Sequence, residues 1–278
     1  MPWKYTDEYY RDYTRSTWNE AAGAYVEVMR RLAPFRADLV KLLGAREGES
    51  VLDLGTGPGE PALTLAGQVG ARGHVVGVDL SEEMVRLARK SAEDRGLKNL
   101  EFRAMDCAQL ELPDASFDAA ISAFGFQIFT DPEGAARETR RVLRPGGRIA
   151  VSVWSTGDRV PLLDVLVAPM LAHAEPDETG YLPSPYETGG PGEMVRFLEA
   201  AGFRDPVESR STHTLRFASA EEYLRTMLGG TPIGHSLSEE DPTVQAEVLQ
   251  AVHAELERRR TRDGIDLPAE CVLVTARK

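Results

Sequence analysis

Between residues 35 and 154 the chain alternates short apolar runs with helical stretches, and this rhythm constrains the fold more than any other feature of the sequence. Ser50-Val51-Leu52-Asp53-Leu54 is mostly apolar and stops at a glycine-rich turn, the pattern of a strand buried in a parallel sheet. His74–Asp79, Leu100–Ala104, Phe117–Ala123 and Arg148–Trp154 repeat it. Helical stretches over 60–69, 82–95 and 134–143 lie between them, and an earlier one over 35–43 stops at Gly44. Strands joined by helices need right-handed crossovers, which place helices on both faces of one sheet. The expectation is a doubly wound α/β domain.

Three other stretches flank this core. Residues 1–34 gather Tyr5, Tyr9, Tyr10, Tyr13, Trp18 and Tyr25 among many charges, and read as a helical lid from about Asp7. Residues 155–190 break the rhythm: an apolar helical stretch over 160–171 runs into a Pro- and Gly-rich segment, as expected of a cap insertion. Residues 191–278 resume it with helices over 193–201 and 220–228 and strands over 206–215 and 269–276. Gly229-Gly230-Thr231-Pro232 reads as a loop, with His235 in the loop that follows, and 243–260 as a long polar helix.

Charge and cysteine content narrow the function. Lys and Arg number 32 against 44 Asp and Glu, a net charge of −12, which argues against a nucleic-acid partner because such binding rests on basic groups. The two cysteines are too few for a disulfide framework or a cysteine-built metal site, so no metal is expected. No apolar run approaches the length of a membrane span, and Met1–Glu8 carries acids and aromatics where a signal peptide needs a positive start. A cytoplasmic location is expected.

The chemistry concentrates where the strands end. Gly55-Thr56-Gly57-Pro58-Gly59-Glu60 follows the first strand; glycines there let the backbone approach a ligand at the start of a helix. A dinucleotide fingerprint wants a small residue where Glu60 stands, and a glutamate there would repel a pyrophosphate. A phosphate-free ligand with a cationic centre suits the turn better. Asp79 closes the second strand, where a carboxylate can accept from both hydroxyls of a ribose, while Ser81 suits the cap of the next helix. Asp106 and Cys107 follow the third strand, placed to meet an adenine edge.

In this order, Val51–Glu60, Val76–Met84, Met105-Asp106-Cys107, Leu112–Asp118 and Arg141–Arg148 resemble the class I S-adenosylmethionine-dependent methyltransferases, most of all those of ubiquinone and menaquinone biosynthesis and their small-molecule relatives. The resemblance implies a seven-stranded Rossmann-like sheet whose last strand is antiparallel. It implies S-adenosylmethionine as cofactor, with Gly55, Gly57 and Gly59 around its methionine part, Asp79 on the ribose, Met84 near the adenine, and Asp106 with Cys107 at the adenine edge. Tyr25, Asp53, Thr56, Leu80 and Ala123 complete the implied cofactor set. Trp18, Phe126, Gln127 and His235 are the candidate substrate residues; no catalytic base is assigned. After the fourth strand the quinone methylases tend to carry Gly-Leu-Arg-Asn, whereas this chain has Ala123-Phe124-Gly125-Phe126-Gln127, which fits another apolar acceptor at least as well as a quinone. The function implied is methylation at carbon or oxygen of a small, fairly apolar metabolite, quinone-, phenol- or polyketide-like. The alternatives are a nicotinamide-dependent oxidoreductase and a non-catalytic relative that only binds the cofactor.

Overall fold

A computed structural model of the chain describes residues 7–173, 186 and 188–278. The five expected core strands are present as β1 (Ser50–Leu54), β2 (His74–Asp79), β3 (Leu100–Ala104), β4 (Phe117–Ala123) and β5 (Leu143–Trp154). Two long strands, β6 (Arg204–Phe217) and β8 (Gly264–Arg277), complete the sheet, with the two-residue β7 (Arg260–Thr261) paired onto β8. The order is β3-β2-β1-β4-β5-β8-β6. β1 to β5 pair in parallel, and β8 runs antiparallel between β5 and β6. The last strand is therefore the reversed one, as expected.

Both faces of the sheet are buried. On one face, Val51, Val75 and Ile121 pack with Phe35 and Leu39 of α2 (Ala33–Leu43) and with α3 (Ala62–Val69) and α4 (Glu82–Asp94). On the other, Leu52, Val76 and Ile149 pack with Ala135 and Ala136 of α5 (Pro132–Val142) and with Met194 and Leu198 of α7 (Glu193–Ala200). Burial on both sides is why these strands read as continuous apolar runs.

Four further helices stand beyond the carboxyl edge: α1 (Asp7–Arg31), α6 (Pro161–His173), α8 (Ala220–Gly230) and α9 (Pro232–Glu239), with α10 (Pro242–Arg258) behind α6. The stretch expected to be a loop at 229–232 is thus helix up to Gly230, and helix again from Pro232. The glycines serve close packing: a Cβ on Gly230 would lie 2.7 Å from Val28 Cγ2 of α1, and one on Gly234 would lie 1.8 Å from Leu228 O. The middle of the 155–190 insertion, residues 174–185 and 187, lies outside the described residues. Among the described residues no helix is long and apolar enough to cross a membrane.

Candidate active site

The turn after β1 is shaped by its own polar contacts. Asp53, fully buried, accepts from Thr56 Oγ1 at 2.6 Å and from the Ala62 N–H at 3.1 Å, both on Oδ2. These bonds tie strand, turn and helix together. Gly55 and Gly57 have φ of +67° and +54°, a region where a side chain would be strained. Gly59, at φ +113°, is also closely packed, since a Cβ there would lie 2.8 Å from Leu63 Cδ1.

Asp79 sits across from this turn. Its Oδ2 accepts from the Gly57 N–H at 2.8 Å and its Oδ1 from the Ser81 N–H at 2.9 Å. Ser81 caps α4, accepting from the Met84 N–H at 3.1 Å. Desolvation raises the Asp79 carboxyl above the usual carboxylate range, against the pull of its N–H donors. Burial, helped by the nearby charges of Asp79 and Glu60, pushes the Asp53 carboxyl up to about 7, although Thr56 and Ala62 hold its ionised form. Burial likewise raises the Cys107 thiol, which leaves it a poor nucleophile.

A cleft of about 660 Å³ opens here, its mouth included, and Gly55, Gly57, Asp79, Leu80, Met84 and Asp106 line it. Tyr25, Trp18, Cys107 and Ala123 line it as well. The structure thus brings together most of the residues that the sequence placed around the cofactor. Asp53, Thr56 and Gly59 stand behind the turn and support it rather than line the cleft. Glu60 is not among the lining residues: it pairs with Arg95 at 2.9 Å and accepts from Thr64, while its charge still acts on Asp53 behind the turn. Asp106 accepts from the Ala108 N–H and pairs with Arg11 of α1 at 3.6 Å.

A second cavity adjoins the first, about 1460 Å³ with its mouth. Its walls come from α1, α6, α8, α9 and the end of β6, through residues such as Val28, Leu162, Val167, Leu215, Met227 and Ile233. Thr14, Trp18, Tyr25, Phe124 and Ile128 line both cavities and mark the junction. Trp18 meets Tyr25 edge-on at 5.0 Å, and burial pushes the Tyr25 phenol up to about 12.

Phe124, in the aromatic stretch after the fourth strand, lines the junction of the two cavities. It adopts φ +61°, a strained left-handed conformation for a bulky residue, and its ring stacks on Trp154 at 4.1 Å. That turn sends Phe126 the other way. Phe126, expected to meet substrate, is instead packed into the core beside Phe129 and Phe197. Gln127 and Trp18 do line the apolar cavity. His235 does not: on α9 it lies between Glu20 and Glu239, at 3.4 and 3.5 Å, against the Tyr13 ring. Arg36 is a residue the sequence did not single out. Buried near Tyr25, Glu60 and Asp53, it donates to Met29 O and forms no ion pair among the described residues.

The site chemistry fits S-adenosylmethionine. A glycine turn admits a close ligand, and Asp79, in the lining of the cleft, supplies carboxylate acceptors. Comparison with known proteins agrees. Residues 51–147 match the family described as a methyltransferase domain. Nocamycin O-methyltransferase of Saccharothrix syringae is 32% identical over 254 residues, covering 85% of this chain and 90% of that one. The chain belongs to the S-adenosylmethionine-dependent methyltransferases. Demethylmenaquinone methyltransferase of Thermus thermophilus is 42% identical over 141 residues, 48% of this chain and 62% of that one. At the level of fold, the YcgJ protein of Bacillus subtilis superposes with a TM-score of 0.59 at 21% identity, covering 87% of this chain and 97% of that one. S-adenosylmethionine is the cofactor of this methyltransferase, which sets aside the nicotinamide alternative.

Proposed function

We propose that this methyltransferase methylates oxygen or carbon of a small, largely apolar metabolite of phenol-, quinone- or polyketide-like character. One observation carries the reading: a large cavity walled by aliphatic and aromatic side chains opens onto the cofactor cleft at Tyr25 and Phe124. Cavities of this composition select ligands by apolar burial, with few directed polar contacts. The full-length similarity to an O-methyltransferase that acts on nocamycin, by its name, supports a small-molecule acceptor.

S-adenosylmethionine supplies an electrophilic methyl group on a sulfonium that leaves readily. The protein's task is then to align and to keep the site dry. Asp79 and the Gly57 N–H fix the cofactor turn, and Asn19 of α1 accepts from Ser81 Oγ at 2.6 Å, holding the lid helix over the cleft. Tyr25 and Phe124 line the junction, where aromatic rings stabilise a cation by its attraction to π electrons. None of the five histidines lines either cavity. The acceptor therefore enters already ionised or gives its proton to solvent.

Transfer of a labelled methyl group from S-adenosylmethionine to a panel of phenols, hydroxyquinones and enolic polyketides tests the reading. Transfer to at least one oxygen or carbon acceptor is expected, with none to nucleic acid or protein. Cofactor binding without transfer to any of them would favour the non-catalytic alternative.

A further inference from the structure

Gln127 stands in the wall of the apolar cavity, between the junction residue Phe124 and the start of α5. Its Oε1 accepts from the Trp154 N–H at 2.8 Å. A reversed carboxamide would set an amino group against that N–H, so the contact fixes the orientation of the amide. With the oxygen engaged, the amino group is the polar end that Gln127 has to offer the cavity.

Several other polar groups of the wall are already committed. Thr17 Oγ1 donates to Thr14 O, Thr231 Oγ1 to Met227 O, and Ser236 Oγ to Pro232 O, each a carbonyl of the chain nearby. Arg31 uses its guanidinium on Glu27, Glu222 and the Arg216 carbonyl. A neutral amide donor also suits these surroundings, because it meets an oxygen without burying a second charge.

We propose that Gln127 is the specificity-determining donor of the acceptor site, and that it selects apolar molecules carrying an ionised or strongly accepting oxygen beside the methylated atom. The inference rests on reading the apolar cavity as the methyl-acceptor site. It assigns a substrate class, enolate- or phenolate-bearing ring systems, over hydrocarbons of the same shape. A hydrogen bond to a charged oxygen is worth about tenfold or more in affinity.

The test uses two probes, 2-hydroxy-3-methyl-1,4-naphthoquinone and 2,3-dimethyl-1,4-naphthoquinone, which place an ionisable oxygen or a methyl group at the same position. Binding is followed by quenching of tryptophan fluorescence with S-adenosylhomocysteine present, at a pH where the hydroxyl is ionised. The wild type is expected to bind the hydroxy compound about tenfold more tightly than the dimethyl one. Gln127→Leu should reduce that preference to under about threefold, by weakening the hydroxy compound alone. Gln127→Glu, which keeps the acceptor for Trp154 and loses the donor, should exclude the anion and still admit the dimethyl compound. Calorimetry with S-adenosylhomocysteine checks that each variant keeps the cofactor site. A preference that survives both substitutions, or a wild type that prefers neither probe or binds neither, overturns the proposal. A wild type that fails to bind S-adenosylhomocysteine overturns the methyltransferase site itself, a separate failure.

Discussion

The two cavities are neighbours with opposite construction. The cofactor cleft is made of short-range features: strand ends, a glycine turn and a helix start, linked by bonds such as Gly57 N–H to Asp79 and Met84 N–H to Ser81. The acceptor cavity is assembled from helices far apart in sequence, α1, α6, α8 and α9, with the end of β6, and hydrophobic burial shapes it more than polar contacts do. Local polar geometry fixes one ligand, whereas a wall of interchangeable apolar residues leaves the other open to variation. One parallel sheet carries the first compartment, and lid and insertions carry the second.

Three substitutions probe this contrast. The largest effect is expected for Asp79→Ala, which removes a charged acceptor from the cleft and the partner of the Gly57 N–H. Affinity for S-adenosylhomocysteine should fall about tenfold or more by calorimetry, while binding of 1-anilinonaphthalene-8-sulfonate in the apolar cavity stays within about twofold. Equal losses on both sides would show that the compartments are not separable.

Met170→Glu should produce the reverse pattern. Met170 lines the acceptor cavity and is partly exposed, so the charge enters the wall without burial in the core. Dye fluorescence should show about fivefold weaker binding, because the apolar surface now carries a carboxylate. Cofactor affinity should remain within about twofold; a loss as large as that of Asp79→Ala would contradict the separation.

The smallest effect concerns the support behind the turn. Burial pushes the Asp53 carboxyl up to about 7. The native state then keeps this proton to about pH 7, whereas the unfolded chain releases it near pH 4. Stability from this group is therefore full below about pH 4 and is lost as pH rises towards 7. Asn at this position still accepts from Thr56 and Ala62 and does not ionise. Thermal melts from about pH 5 to 8 should show Asp53→Asn gaining on the wild type as pH rises; parallel profiles would show that Asp53 does not titrate in this range.

The same contrast explains what the sequence reveals. Asp79, Ser81 and Met84 are legible because a strand end and a helix start leave local signatures, and the structure places each within the cofactor region. Glu60 was legible in position but not in effect, since its partner Arg95 lies 35 residues away in the chain. Phe126 turns into the core while Phe124, in a left-handed conformation, stays at the junction, a difference that no pattern of apolar spacing announces. Gly230 and Gly234 read as loop glycines because a close approach to Val28 or to Leu228 is a tertiary fact. His235 was placed by that same reading and therefore falls outside the cavity. The share of α8 and α9 in the acceptor wall was hidden for the same reason.

A crystal structure with S-adenosylhomocysteine tests the central claim most directly, because it shows whether the polar cleft delivers the reacting sulfur to the apolar cavity. The account predicts the ribose on Asp79, the adenine beside Met84, and the sulfur at the junction of Tyr25 and Phe124, facing the space walled by Leu162 and Met227. A nucleoside held away from Asp79, or a sulfur turned from the apolar cavity, would contradict it.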